Sequence, residues 1–323
     1  MRSIVKAMIY ERYGPPDVLE LRDVEEPVLG ERDLLIAVRA VSLNRSDWEV
    51  LIGKPLYARV GGLFRPGNPI LGTDVAGRVE AVGSAVEAFR PGDEVFGDVM
   101  YHGGSTFAEY VRVPDTAPLV HKPAGLGFVE ASTLPQAGVI ALQGISGRVE
   151  PGDRVLVNGA GGGAGGFAVQ MAKSAGAEVT GVDNGHKQEF VRSLGADHVI
   201  DYTNQDYTRT GPYDVILDLV CERSMLAIRR ALAPGGSYRV VGGTARALLS
   251  ALVLGRLLST GGRSMRVLMV RPNKDDLLRV AGMVSTGTLR TNVDRTYPLE
   301  EVPEALRHLG EGRALGKLVI EMG

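Results

Sequence analysis

The chain has 323 residues, a length that suggests two domains, or one domain plus an appended lobe. With 44% hydrophobic residues, 23% charged residues and a formal net charge of −2, it reads as a globular protein, with no bulk electrostatic pull toward nucleic acid or membrane. Its one cysteine, Cys221, excludes an intrachain disulfide and a multi-cysteine metal site. The opening Met1–Lys6 is not followed by a long apolar core, so no secretory signal is expected. The longest apolar stretch, Ala247 to Leu258, is broken by Ser250, Gly255 and Arg256 and is too short to span a bilayer. A cytoplasmic protein is the expectation.

In chain order, Leu34–Val41, Val75–Val82, Asp93–Phe96 and Phe107–Val113 are short alternating segments punctuated by Gly and Pro. They predict antiparallel strands of a barrel-like domain. After about residue 128 the texture changes to alternating strands and helices. The strands are expected at Arg154–Val157, Glu178–Val182, His198–Ile200, Val215–Asp218, Tyr238–Val241 and Arg266–Val270. The helices are expected at Ala164–Ser174, Lys187–Leu194, Ser224–Ala233 and Ala245–Leu258. This alternation predicts a doubly wound parallel sheet. A helix at Leu299–Gly310 and a strand at Gly316–Glu321 close the chain, the strand being free to rejoin the first domain.

The run Asn158-Gly159-Ala160-Gly161-Gly162-Gly163-Ala164-Gly165-Gly166 follows a predicted strand and opens a helix, the context a dinucleotide fingerprint needs. One glycine permits the tight turn, another admits a pyrophosphate to the backbone N–H groups, and a third packs helix on strand. The register is open: Gly161, Gly163 and Gly166 match G-x-G-x-x-G, while Gly162 and Gly165 suit A-x-G-x-x-G from Ala160. A flexible glycine linker is the bland alternative. The βαβ frame and an acid, Asp183, ending the second strand argue against it.

Together with Arg192–Tyr202, that run resembles the cofactor domain of zinc-independent quinone oxidoreductases of the medium-chain dehydrogenase/reductase superfamily. Leu43–Asp47, Gly72–Gly77 and Pro91–Gly97 resemble their GroES-like domain. The tail Gly312–Lys317 resembles the family's closing motif at the nicotinamide end of the cofactor. The resemblance implies an α/β chain with a GroES-like β-barrel domain, residues 1–127 with 273–323, and a Rossmann domain at 128–272. NADPH, with NADH also possible, would lie in the cleft between them. Zinc-dependent relatives place a cysteine where Asn44 stands, a histidine where Thr73 stands and another cysteine near Ala137, and they carry a four-cysteine structural lobe. Without those ligands the Lewis-acid route to alcohol oxidation is lost.

The resemblance assigns Gly161, Gly162, Gly163, Ala164, Gly165, Asp183, Asn184, Lys187, Tyr202, Gly242, Arg313, Ala314 and Leu315 to the cofactor. Asp183 would accept the ribose hydroxyls or cap the next helix. Asn184, His186 and Lys187 would meet a 2′-phosphate. Tyr202 would pack near the adenosine ribose or belong to the core. Asn44 and Asp47 are the expected catalytic residues, Asn44 donating to a substrate oxygen or a ribose hydroxyl. Asp47 would line the pocket or only cap a helix. Trp48 and Tyr57 would wall a flat substrate, or be core. The apolar face of Ala245–Leu258 would pack on the domain or a second subunit, line a lipophilic channel, or meet a membrane surface.

The expected activity is hydride transfer from NADPH to a quinone or to the C=C bond of an α,β-unsaturated carbonyl, by a homodimer that needs no metal, nucleic acid or stable membrane insertion. A non-catalytic NADPH-binding protein and a zinc-free alcohol or carbonyl dehydrogenase are the alternatives.

Overall fold

The structure is a computed structural model that describes residues 3–59 and 61–323; the sequence reading of Met1 and Arg2 lies outside them. The strands in chain order are β1 Ile4–Ile9, β2 Glu20–Glu25, β3 Asp33–Ser42, β4 Asp74–Val82, β5 Glu94–Asp98, β6 Tyr110–Pro114 and β7 Leu119–His121. There follow β8 Arg154–Asn158, β9 Glu178–Asp183, β10 His198–Asp201, β11 Tyr213–Asp218, β12 Leu232–Val240 and β13 Ser264–Val267, then β14 Val293–Tyr297 and β15 Lys317–Glu321. The α-helices are α1 Arg45–Ile52, α2 Phe128–Ser132, α3 Pro135–Ile145, α4 Gly163–Ser174, α5 Gln188–Ser193, α6 Met225–Ala231, α7 Ala245–Leu258, α8 Lys274–Ser285 and α9 Val302–Gly310.

The chain divides into two units. The first takes the described residues through Gln136 together with Pro272–Ser285 and Val293–Gly323; the second takes Ala137–Arg271 and Thr286–Asn292. The division differs from 127/128 and 272/273 for local reasons. Helix α2 packs on β3 and β4 and so stays with the first unit. Residues 286–292 go to the second because Gln170 on α4 exchanges two hydrogen bonds with the Arg290 backbone, Nε2 to O at 3.1 Å and N to Oε1 at 2.8 Å.

In the first unit β1 and β2 form an antiparallel hairpin. A seven-stranded sheet runs in the order β14-β15-β3-β4-β5-β7, with β6 also on β3. It is antiparallel except for the β14–β15 pair. Alternating positions of β3 and β4, such as Leu34, Ile36, Val38, Val75 and Val79, point into one core. There they meet Leu318 and Ile320 of β15 and Val302, Ala305 and Leu306 of α9.

In the second unit six parallel strands run β10-β9-β8-β11-β12-β13. In chain order that is third-second-first-fourth-fifth-sixth, the doubly wound arrangement with its switch point between β8 and β11. Val155, Leu156 and Val157 form an uninterrupted buried run, as a strand covered on both faces requires. Helix α4 is buried from Gly165 to Ala172 because its first turn is glycine and alanine. At Gly165 an added Cβ would lie 2.0 Å from the Gly159 carbonyl oxygen, so only glycine lets helix and strand approach this closely. Helix α7 buries Ala251 and Gly255, the latter against Met265 of β13. Ala247 and Leu258 also pack against the core of the unit, while the outward face leaves Leu249, Leu252, Val253, Leu254 and Leu257 exposed, so only part of the apolar set is covered by its own unit.

This geometry separates two glycines of similar composition context. Gly165→Ala is expected to destabilise by about 1–3 kcal/mol through overpacking against backbone. Gly282→Ala in α8 meets nothing within 4 Å and is expected to be neutral or slightly stabilising. Urea denaturation midpoints of the two variants check this, and equal midpoints would contradict it.

Candidate functional site

The glycine turn of the second unit is built at the carboxyl ends of β8 and β9. Gly159 turns the chain at φ +87°, and Gly162 is the N-cap of α4. With Gly165 making the close helix–strand contact, the register is A-x-G-x-x-G from Ala160. The first-turn N–H groups of α4 carry the partial positive charge of a helix start. Asp183, the last residue of β9, accepts from the Gly161 N–H at 2.8 Å and the Asn184 N–H at 2.9 Å, and Lys187 Nζ lies 3.9 Å from its carboxylate. The carboxylate therefore ties the glycine turn to the second strand. That is a different backbone contact from the helix cap weighed above. Among the described residues the buried Asn184 Oδ1 atom has no hydrogen-bond partner. The glycine cradle, the helix start at the switch point and this orphaned acceptor together fit a dinucleotide.

Tyr202 is half exposed, its backbone N–H on the Asp183 carbonyl at 3.2 Å. Gly242 follows β12 at φ +77°. At the same carboxyl ends of β11 and β8, Asp218 collects the Asn158 amide at 2.8 Å, the Tyr238 hydroxyl at 3.0 Å and the Val220 and Cys221 backbone N–H groups. The remaining tail positions lie in the first unit. Arg313 pairs with Glu311 at 2.6 Å, Ala314 is buried, and the Leu315 N–H donates to Asp294 at 2.9 Å.

The first unit holds a second cluster, centred on a cation that sequence reasoning left unweighed. Lys317 opens β15 and is only 3% exposed. Its ammonium donates to Asn44 Oδ1 at 2.6 Å and to the Leu43 carbonyl at 2.8 Å, and it faces Asp74 at 3.7 Å. Asp74, fully buried, accepts from Ser42 Oγ at 2.7 Å, Asn44 Nδ2 at 2.8 Å and the Gln136 N–H at 3.1 Å. Asn44 is thus held from both sides. Only its contact to Thr73 Oγ1, at 3.4 Å, is long enough to be surrendered readily. Burial raises the Asp74 carboxyl and lowers the Lys317 ammonium, each opposed by the other's charge. A lysine opening an otherwise apolar strand, Lys317-Leu318-Val319-Ile320, was the available signal for this pair.

Of the two roles open to Asp47, its geometry is the cap. Its carboxylate accepts from the Asn44 N–H at 2.7 Å in a capping box at the start of α1, and it is 2% exposed. Trp48 packs against the core of the first unit, so close to Gly310 of α9 that a Cβ there would lie 2.4 Å from its ring. Tyr57 is half exposed on a one-turn 3-10 helix, Leu56–Ala58, that touches α1. Among the described residues no three His, Cys, Asp or Glu side chains gather as a metal site.

Burial pushes the Asp47 carboxyl up to about 7, with the Asp74 charge adding to the shift. Burial and then the Asp74 charge push Asp98 to about 7 as well. A carboxyl raised in the folded state binds its proton more tightly there. The stability it lends is complete below the unfolded value and is lost as pH rises through about 7. Asp98→Asn keeps the acceptor for the Met100 N–H, now at 2.8 Å. Between pH 5 and 8 the variant is expected to lose roughly 1–3 kcal/mol less stability than the parent. Urea titrations at the two pH values check this, and identical slopes would refute it.

Residues 30–124 match the alcohol dehydrogenase GroES-like domain family and residues 194–320 the zinc-binding dehydrogenase family. The chain is 30% identical to a mitochondrial NAD(P)H oxidoreductase of Mus musculus over 99% of its own length and 90% of the relative's. It is 31% identical to the 2-methylene-furan-3-one reductase of Solanum lycopersicum over 98% and 79%. The solved structure of the quinone oxidoreductase from Coxiella burnetii is similar at a TM-score of 0.89 and 30% identity, with 99% of both chains covered. The chain belongs to the medium-chain dehydrogenase/reductase superfamily, among its quinone oxidoreductase-like members.

Proposed function

We propose that this protein is a zinc-independent, NAD(P)H-dependent reductase of quinones or of the C=C bond of α,β-unsaturated carbonyls. The observation that carries the reading is the Asn44–Lys317–Asp74 cluster. Where zinc-dependent relatives place a ligand, this chain has an amide bonded to a buried ammonium 2.6 Å away. An amide and the Thr73 hydroxyl are poor substitutes for thiolate and imidazole, and the ammonium disfavours a dication beside it.

A nicotinamide bound here would supply the hydride. The backbone N–H groups of Gly161–Gly165 would receive its pyrophosphate, and Asp183, Asn184 and Lys187 would receive the adenosine ribose. Asp183 keeps the turn closed through the Gly161 N–H, and its charge, partly offset by Lys187, leaves discrimination between NADPH and NADH weak. In the first unit, Asn44 is the donor offered to a substrate oxygen. Lys317 and Asp74 orient its amide, and the 3.4 Å contact to Thr73 is the one it gives up. A single neutral donor stabilises little developing charge. A conjugated acceptor, which spreads that charge over its own π-system, suits this site better than a simple ketone. The names of the quinone oxidoreductase and furanone reductase relatives support the same substrate class.

The test is a steady-state screen with NADPH across quinones, alkenals and cyclic enones, repeated after chelation and elemental analysis, with simple alcohols and NADP⁺ as the reverse arm. Turnover of conjugated acceptors that survives chelation, with negligible alcohol oxidation, is the expected result. A stoichiometric zinc whose removal abolishes turnover, or brisk alcohol oxidation, would overturn the reading. So would proven NADPH binding with no turnover of any acceptor.

A further inference from the structure

Helix α7 carries an apolar surface that the proposed reaction does not use. Leu249 is 62% exposed and Leu257 68%, with Leu252, Val253 and Leu254 also exposed beside them. The outward side chains recur at 249, 252, 253 and 257, one face of a helix at 3.6 residues per turn. The opposite face, with Ala251 and Gly255, packs on the unit. Exposed Leu and Val at this density on one helix mark an interaction surface.

The charge around it chooses the partner. Between Glu222 and Asp275 the chain has no acidic residue, yet it carries nine arginines and one lysine, in a protein of net charge −2. Arg246 and Arg256 lie on the outward face of α7 among the leucines, and both are exposed. Exposed Arg230 on α6 and Arg266 on β13 are in the same acid-free stretch. None of these four arginines forms an ion pair among the described residues. A second copy docking through the same face by two-fold symmetry would set α7 against itself, arginine toward arginine on a helix that carries no carboxylate. A surface that is apolar inside and anionic at its rim answers both features.

We propose that α7 is a peripheral membrane-binding face. Leu249, Val253 and Leu257 enter the headgroup–acyl boundary of an anionic bilayer. Arg246 and Arg256 lay their stems along the apolar surface and raise their guanidinium groups to the lipid phosphates. The helix has 14 residues and no helix among the described residues is long and apolar enough to cross a membrane, so the contact is lateral and reversible.

The experiment is flotation of the full-length protein with phosphatidylcholine vesicles and with phosphatidylcholine–phosphatidylglycerol vesicles. It is run beside Leu249→Gln/Val253→Gln/Leu257→Gln and Arg246→Gln/Arg256→Gln variants, with NADPH turnover in free solution as the control for folding. Expected are binding to the anionic vesicles, at least tenfold weaker binding to phosphatidylcholine alone, and at least tenfold loss in each variant with solution turnover unchanged. Rising salt should weaken the parent's binding. Failure of the parent to bind anionic vesicles, equal binding to both vesicle types, or variants that bind like the parent would each overturn the proposal. So would a dimer in sedimentation that the apolar variant converts to monomer, which would assign the face to a second copy. A selective rise in KM for a lipophilic acceptor with vesicle binding intact would assign it to substrate entry.

Discussion

A buried ammonium must be paired, and the pairing of Lys317 is what the first unit is organised around. Its partners, Leu43, Asn44 and Asp74, lie more than two hundred residues earlier in the chain. Satisfying them draws β15 onto β3, with Val319 opposite Ser42, and so assembles one sheet from both ends of the sequence. The same bonds fix the Asn44 side chain at the N-cap of α1. Removing either charge would leave the other buried and unanswered, a cost of about 3–5 kcal/mol. Structural need and site geometry are thus one interaction: the bond that closes the sheet also aims the amide.

The second unit obeys a different constraint. Six parallel strands in the order β10-β9-β8-β11-β12-β13 gather the loops after β8, β9 and β11 at one edge of the switch point. The glycine turn can be this tight only because Gly159 adopts a positive φ and Gly165 lacks a Cβ. Asp183 then spends its carboxylate on the backbone of that turn. Its negative charge is committed to the protein before any ribose arrives, which softens the rule that an acid here reads a 2′-hydroxyl.

Much of the second unit was legible because its signals are local. Val155–Val157 is a continuous apolar run, the glycines follow it directly, and α7 spans Ala245–Leu258 as the periodicity predicts. Strand β13 starts two residues before the expected Arg266 because Met265, not Val270, is the buried anchor. Helix α3 is apolar nearly all round, so it shows no polar face to reveal its period. In the first unit the span of α1 went unread although a cap at Asp47 was among its readings, since eight residues carry little periodic signal. The role of Lys317 was opaque for a deeper reason: a lysine at a strand start is ordinarily exposed, and its burial depends on acceptors far away in sequence. Trp48 could not be assigned from sequence because an aromatic beside a candidate site reads equally as wall or core, and the glycine at 310 that makes room for its ring lies far away in the chain.

The central claim is that charge developing on the acceptor is carried by conjugation rather than by a metal, with one oriented amide assisting. It is tested most directly by where the hydride lands. With NADPH deuterated at the transferable position of nicotinamide C4 and a cyclic enone as acceptor, the account predicts a saturated ketone bearing deuterium at the β-carbon. Deuterium at the carbinol carbon of an allylic alcohol would mean direct carbonyl reduction and would contradict it.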